Sequence, residues 1–208
     1  SIITSEITAI NCASEVMFSS VSPSCNGFND GSIIFSYSST TNDFPYSYNL
    51  INENGNIISN GSIPDDNDIL IENLLAEDYN LIVLNASMVE ILQQAISIVP
   101  TDPLTIDHTI IQSITCFGDS DGSVVLSANG GSANYEYSWQ GIMSNATIEN
   151  RSAETYSYAV IDDNGCTAES SVTLDAPTPL SFSFEISNSD CGQNNGSFSI
   201  NDIQGGTG

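Results

Sequence analysis

The chain contains the same opening twice. Cys25-Asn-Gly-Phe-Asn-Asp-Gly-Ser32 returns as Cys116-Phe-Gly-Asp-Ser-Asp-Gly-Ser123, and an alternating apolar stretch follows each copy. Further on, Ile71-Glu-Asn-Leu-Leu-Ala-Glu-Asp-Tyr79 aligns without a gap with Ile148-Glu-Asn-Arg-Ser-Ala-Glu-Thr-Tyr156. An imperfect third copy begins at Cys191. Self-similarity of this kind indicates a tandem repeat, in which each copy forms one structural unit.

A short linker that contains proline follows each of the two long copies. We therefore expect a first repeat at residues 1–100, a second at 101–178 and the start of a third at 179–208. Two interpretations of residues 1–23 remain open: the first strand of the first repeat, or the tail of a preceding repeat. Each repeat is close in length to a small β-sandwich domain.

Strand signals recur in both copies. Apolar and polar residues alternate in stretches such as Tyr46-Ser-Tyr-Asn-Leu-Ile51 and Tyr156-Ser-Tyr-Ala-Val-Ile161, and Asn-Gly or Gly-Gly turns separate them. Residues 88–99 contain good helix formers, but they align with a turn and strand of the other copy, so we predict a hairpin turn followed by a strand. Short strands at regular spacing predict an all-β fold of tandem Ig-like β-sandwich repeats. Trp139 is expected in the core of the second sandwich, next to a disulfide.

Acidic residues dominate the charge of the chain. There are 26 of them against a single cation, Arg151, and the net charge is −25. Because nucleic acids and anionic lipids bind through lysine and arginine, the composition argues against a nucleic-acid partner. No stretch has the run of roughly 18 apolar residues that a membrane span needs, so we expect no membrane insertion in this segment.

Two interpretations are open for the aspartates that lie near the cysteines of the second repeat. Asp119 and Asp121 lie in the second opening, and Asp162 and Asp163 lie near Cys166. Such oxygen-rich clusters suit a hard cation, so calcium bound by these four residues is one hypothesis. The alternative is ordinary Asx turns, in which aspartate and asparagine side chains bond their own backbone.

Five cysteines indicate an oxidising, extracellular setting. Cys116 opens the second repeat and Cys166 closes its last hairpin, so we expect these two to form a disulfide. Cys25 lacks an equivalent partner, because Val89 stands where the second repeat has Cys166. Cys12 either pairs with Cys25, which we prefer, or belongs to a preceding repeat. Cys191 is expected to pair beyond residue 208.

The second repeat resembles the SprB-type repeat of cell-surface adhesins that serve gliding motility in Bacteroidota. The motifs that carry the resemblance are Cys116, Gly118, Asp121-Gly-Ser123, Gly130-Gly131, Tyr135-Glu-Tyr-Ser-Trp139, Ala153-Glu-Thr-Tyr156 and Asp162-Asp-Asn-Gly-Cys-Thr-Ala168. The first repeat follows the pattern from Cys25 to Tyr79, but has Leu50 in place of the tryptophan and an insertion around residues 52–68. The resemblance implies a large, repetitive surface protein, exported by a type IX route, and supplies no catalytic residue.

We therefore expect a non-catalytic segment of a giant extracellular fibre or cell-surface adhesin, with the acidic repeats forming an extended rod. The single histidine, His108, has no duplicated catalytic partner and is expected at a surface or strand edge. The expected partners are neighbouring repeats of the same long chain, with other fibre subunits and surface glycans as further candidates. The alternatives are a glycan-binding sandwich module and a passive spacer of a larger secreted enzyme.

Overall fold

The computed structural model describes residues 3–9, 14–39 and 44–207, without side chains for 3–9 and 14. Every regular element in these ranges is a β-strand, and there are 17 of them. Contacts divide the chain into two compact units. The first unit comprises residues 1–104 together with 130–132 and 164–166, and the second comprises the remainder. The predicted all-β fold is confirmed.

The first unit consists of two four-stranded antiparallel sheets. Its strands are β1 (Ile3–Ala9), β2 (Ser14–Val21), β3 (Gly31–Ser39), β4 (Tyr46–Asn52), β5 (Ile57–Ile63), β6 (Ile69–Leu74), β7 (Asp78–Leu84) and β8 (Glu90–Ser97). One sheet has the order β1-β2-β3-β6 and the other has the order β5-β4-β7-β8.

Alternating side chains of these sheets build the first core. In β3, Phe35 and Tyr37 are buried, whereas Ile34 between the inward positions is exposed. The rings of Phe35 and Tyr48 meet edge to face at 5.2 Å, and those of Tyr37 and Tyr46 meet at 5.0 Å. Because successive side chains of a strand point to opposite faces, one face of each sheet supplies the core. The unit is a β-sandwich.

The second unit contains the strands β9 (Thr105–Gln112), β10 (Gly122–Asn129), β11 (Glu136–Trp139), β12 (Ile142–Ser144), β13 (Thr147–Arg151), β14 (Thr155–Ile161), β15 (Thr167–Thr173), β16 (Ser181–Ser187) and β17 (Ser197–Gln204). A three-stranded sheet of order β13-β10-β9 and a four-stranded sheet of order β12-β11-β14-β15 form its sandwich. Val124 and Leu126 of one sheet share a core with Tyr156, Tyr158 and Val172 of the other.

The two sandwiches have the same topology, except that β1 adds a fourth strand to one sheet of the first sandwich. In each, the second strand of the repeat (β3 or β10) lies between the first (β2 or β9) and the fifth (β6 or β13). The remaining four strands form the opposite sheet in the same order, β5-β4-β7-β8 and β12-β11-β14-β15. Pairing of strands A, B and E opposite a sheet of C, F and G is the immunoglobulin arrangement, here with the strand after C added to the second sheet. The predicted Ig-like sandwich repeats are confirmed.

Residues 88–99 form the turn and strand that the alignment predicts. Strand β8 pairs along its length with β7. In the preceding turn, Asn85 Oδ1 accepts hydrogen bonds from the backbone N–H groups of Ser87, at 2.9 Å, and Val89, at 3.0 Å. The sheet pairing and this turn outweigh the local helix propensity, which contributes only a few tenths of a kcal/mol per residue.

Strands β16 and β17 pair with each other as a separate two-stranded sheet. The two strands of this hairpin are antiparallel, as β9 and β10 are in the second sandwich. The side chains of Phe198 and Ile200 in the hairpin are exposed. The boundaries of the repeats remain predictions of the sequence. In the part of the chain that is described, no helix has the length and hydrophobicity to cross a membrane.

Candidate functional site

The first repeated opening forms a closed turn, residues 24–31, between β2 and β3. The backbone N–H of Ser24 donates to Asp30 Oδ1 at 2.9 Å, and the Ser24 hydroxyl donates to Asp30 Oδ2. The N–H of Phe28 donates to the Cys25 carbonyl at 3.1 Å. The hydroxyl of Ser24 lowers the pKa of Asp30, because its hydrogen bond favours the ionised carboxylate. Asp30 therefore closes the turn as an acceptor.

The second opening, residues 115–122, repeats this geometry. The N–H of Thr115 donates to Asp121 Oδ1 at 3.2 Å and its hydroxyl donates to Asp121 Oδ2 at 2.6 Å. The N–H of Asp119 donates to the Cys116 carbonyl at 3.1 Å. The Thr115 hydroxyl lowers the pKa of Asp121 for the same reason as in the first turn.

The third opening, residues 190–196, keeps the closure with an amide in place of the carboxylate. The N–H of Asp190 donates to Asn195 Oδ1 at 2.9 Å, and Asn195 Nδ2 donates back to Asp190 Oδ2 at 2.8 Å. We call this bonded pair the clasp: Ser24–Asp30, Thr115–Asp121 and Asp190–Asn195. Because an amide oxygen serves as well as a carboxylate, the repeated residue acts by accepting hydrogen bonds from the backbone.

The glycine after the clasp lies where two strands approach closely. A Cβ atom on Gly31 would lie 2.8 Å from the Leu74 carbonyl oxygen. On Gly122 it would lie 2.8 Å from Leu174 Cδ1 and 3.0 Å from the Arg151 carbonyl oxygen. The pairing register with the neighbouring strand shifts at both glycines, as in a β-bulge. The Asp-Gly-Ser motif therefore combines a turn closure with a position that has no room for a side chain.

The four aspartates of the calcium hypothesis have other arrangements. Both oxygens of Asp121 accept hydrogen bonds from Thr115, and Asp119 Oδ2 lies 3.4 Å from the same Thr115 hydroxyl. Asp163 accepts a hydrogen bond of 2.6 Å from Asn134, and Asp162 is buried. Nowhere in the described ranges do three or more His, Cys, Asp or Glu side chains form a group that could hold a metal ion. These contacts agree with the Asx-turn alternative, and calcium binding remains an untested prediction.

The disulfide connects different cysteines from those that the sequence predicted. Cys25 is bonded to Cys166, with 5.6 Å between the Cα atoms and a sequence separation of 141. Asn164 Nδ2 also donates to the Ser24 carbonyl at 3.2 Å, so residues 164–166 lie against the first opening turn. Cys116 is a free, exposed thiol. The predicted Cys116–Cys166 bridge is therefore wrong for this structure, because the two halves of the bond do not come from one repeat.

The other cysteine predictions concern Cys12 and Cys191. The preferred Cys12–Cys25 pair does not form in the structure, because Cys25 is bonded to Cys166. Cys12 itself lies outside the described residues. Cys191 is a free, exposed thiol.

The core position of Trp139 and the edge position of His108 are confirmed, whereas the disulfide expected next to Trp139 stays a prediction. Trp139 is buried, donates from Nε1 to the Asn145 carbonyl at 3.1 Å, and meets the ring of Tyr158 at 5.4 Å. His108 is exposed on β9, an edge strand, where its Nδ1 lies 2.7 Å from the Tyr158 hydroxyl. The histidine thus belongs to a strand edge, as its alignment indicated.

A tyrosine corner in each sandwich is a feature that the sequence argument missed. The Tyr79 hydroxyl donates to the Leu75 carbonyl at 3.1 Å, and the Tyr156 hydroxyl donates to the Ser152 carbonyl at 3.0 Å. Burial and the charge of Glu77 raise the pKa of Tyr79 to about 12. A tyrosine at the start of the sixth strand that bonds the backbone upstream is a hallmark of Ig-type sandwiches. The alignment of Tyr79 with Tyr156 was the available signal.

Part of the second sandwich is similar to a known repeat family. Residues 109–144 match the family model of the SprB repeat, a stretch that includes the second opening turn and Trp139. The matched stretch lies in the second sandwich and runs from β9 to the end of β12. This SprB repeat is a repeat of extracellular surface proteins, and the disulfide agrees with an oxidising environment.

Two solved structures are similar at low identity. A C-terminal 282-residue fragment of intimin, in complex with the intimin-binding domain of the translocated intimin receptor, is 12 % identical with a TM-score of 0.40. That match covers 85 % of this chain and 66 % of the intimin fragment. The three N-terminal domains of the highly immunogenic outer capsid protein of bacteriophage RB49 are also 12 % identical, with a TM-score of 0.40 over 98 % of this chain and 70 % of theirs. A comparison with curated proteins found no match.

Proposed function

We propose that this chain is a non-catalytic segment of a long extracellular fibre or cell-surface adhesin that serves surface attachment or gliding motility. The observation that carries the proposal is the duplication of one sandwich topology with the same clasp and tyrosine corner, together with the SprB-repeat match in the second copy. Tandem copies of one stable unit suit a protein whose work depends on length. Its export is proposed to follow a type IX secretion route.

The acidity fits an extended segment. With a net charge of −25 and a single cation, neighbouring repeats repel one another electrostatically. The linkers Pro100-Thr-Asp-Pro103 and Pro177-Thr-Pro179 are short and rich in proline, which limits their flexibility. We propose that consecutive repeats form an acidic rod. A compact chain of this length would have a radius of gyration of about 17 Å, so small-angle X-ray scattering should give a clearly larger value.

The buried tyrosines and the tryptophan serve the sandwich cores, whereas several phenylalanines, among them Phe28 and Phe117, are exposed. Tyr46, Tyr48, Tyr156, Tyr158 and Trp139 are all buried in the sandwich cores. Stacking on a sugar would need rings on an accessible face.

Antibody labelling of intact cells of the source organism tests the location, and deletion of the gene tests the role. Labelling of unpermeabilised cells, together with loss of surface attachment or gliding on deletion, is the expected result. Labelling only after permeabilisation would contradict the proposal. A deletion strain that attaches and moves normally would show that the segment has another function.

A further inference from the structure

Cys116 and Cys25 occupy the same position in two turns of the same geometry. Each directly follows the first clasp residue, Ser24 or Thr115, and each carbonyl accepts a hydrogen bond of 3.1 Å from the N–H three residues on. The two turns differ in the bonding of the cysteine sulfur. Cys25 is buried in a disulfide with Cys166, whereas Cys116 is free and exposed.

The bonded turn shows what partner this position takes. Cys166 belongs to the turn Asn164-Gly-Cys166, in which Gly165 has a φ of +83°. Asn164 donates from Nδ2 to the carbonyl of Ser24, the residue before Cys25, at 3.2 Å. The partner therefore supplies a sulfur and an amide donor from one short turn. In the second opening the matching acceptor is the carbonyl of Thr115.

We propose that Cys116 forms a second disulfide of this kind, with the cysteine of an Asn-Gly-Cys turn in a further copy of the repeat. In sequence, that cysteine should follow Cys116 by somewhat fewer than the 141 residues that separate Cys25 from Cys166. The reason is that the second repeat lacks the insertion around residues 52–68. The proposal rests on the proposed function, since it requires further repeats. It assigns each opening-turn cysteine to a bond outside its own repeat.

The bond forms by thiol–disulfide exchange. The Cys116 thiol and the partner thiol each lose a proton, and their two electrons reduce the disulfide of an oxidant to two thiols. The oxidant is a thiol–disulfide oxidoreductase or a small disulfide such as oxidised glutathione. The exposure of Cys116 leaves its sulfur accessible to the mixed-disulfide intermediate.

Peptide mapping of the natural full-length protein tests the proposal. Free thiols are blocked with iodoacetamide, the protein is digested without reduction by a protease that cuts after glutamate, and linked peptides are sequenced by mass spectrometry. The Cys25–Cys166 pair in the same digest is the internal control. We expect the peptide of Cys116 to be linked to a peptide with an Asn-Gly-Cys turn. Alkylated Cys116, or Cys116 linked to Cys166, Cys191 or any cysteine outside such a turn, would overturn the proposal.

Two further measurements sharpen this result. Non-reducing electrophoresis distinguishes a partner in the same polypeptide, which leaves the mass unchanged, from one in a second copy, which doubles it. In a Cys116→Ser variant, the partner cysteine should become alkylated while the Cys25–Cys166 bond remains. A partner that stays unalkylated would count against the bond. Surface labelling does not depend on these outcomes, so failure of the disulfide and failure of the proposed function are distinguishable.

Discussion

Replacing Cys166 with serine removes the disulfide to Cys25, whereas replacing Cys116 removes only a free thiol. In the chain-entropy description, a cross-link that closes a loop of 141 residues stabilises the folded state by about 5 kcal/mol. Cys166→Ser and Cys25→Ser should therefore lower the free energy of unfolding by up to that amount. Cys116→Ser should change it by less than about 0.5 kcal/mol, as expected for an exposed site.

Urea denaturation followed by tryptophan fluorescence measures the difference, since Trp139 is the single tryptophan and is buried. The midpoints of Cys25→Ser and Cys166→Ser should fall together, and that of Cys116→Ser should match the parent. With dithiothreitol present, the parent should fall to the level of the two destabilised variants, which controls for local effects of serine. A Cys116→Ser midpoint that falls with Cys166→Ser, while Cys25→Ser remains stable, would refute the observed pairing and restore the sequence-based one.

Three other outcomes are expected from single changes and from chelation. Gly122→Ala should lower the free energy of unfolding by about 1–3 kcal/mol in a denaturation experiment, because the new methyl group would lie 3.0 Å from the backbone oxygen of Arg151 and 2.8 Å from the buried Leu174 Cδ1. Asp121 has a lowered pKa, so its stabilising contribution is complete above the ordinary aspartate pKa and is lost as the pH falls through the lowered value. Asp121→Asn should keep the clasp, as Asn195 does, yet reduce the acid-induced fall in melting temperature; an unchanged pH profile would contradict this. Chelation with EGTA should leave the melting temperature unchanged because the carboxylates of the second opening turn already accept hydrogen bonds, and a clear drop would establish a calcium site.

The strands were predictable because apolar and polar residues alternate along them. The alternating stretches at 46–51 and 156–161 correspond to β4, Tyr46–Asn52, and β14, Thr155–Ile161. Strand β12, Ile142–Ser144, was missed because it is three residues long and all its side chains are exposed, so it carries no alternation. The turn and strand at residues 88–99 were predicted correctly only because these residues align with a turn and strand of the second copy, although their own composition favours a helix.

The site was less predictable than the fold. Sequence spacing suggested a bond within one repeat, but disulfide formation depends on the separation of Cα atoms in space, which spacing does not encode. The aspartates formed a dense group in sequence, yet Asp121 bonds the backbone of Thr115 and Asp163 bonds Asn134. Sequence proximity therefore did not show which local donors each carboxylate would meet.

The loop that the disulfide closes contains the only basic residue of the chain. Arg151 is exposed at the end of β13, and it lies between Cys25 and Cys166 in sequence. A trypsin-like protease can cut the chain only after this residue. The two fragments would then stay covalently joined through the sulfur–sulfur bond, so a single cut would not release either part. Until a reductant breaks that bond, a nicked copy would keep its two parts together.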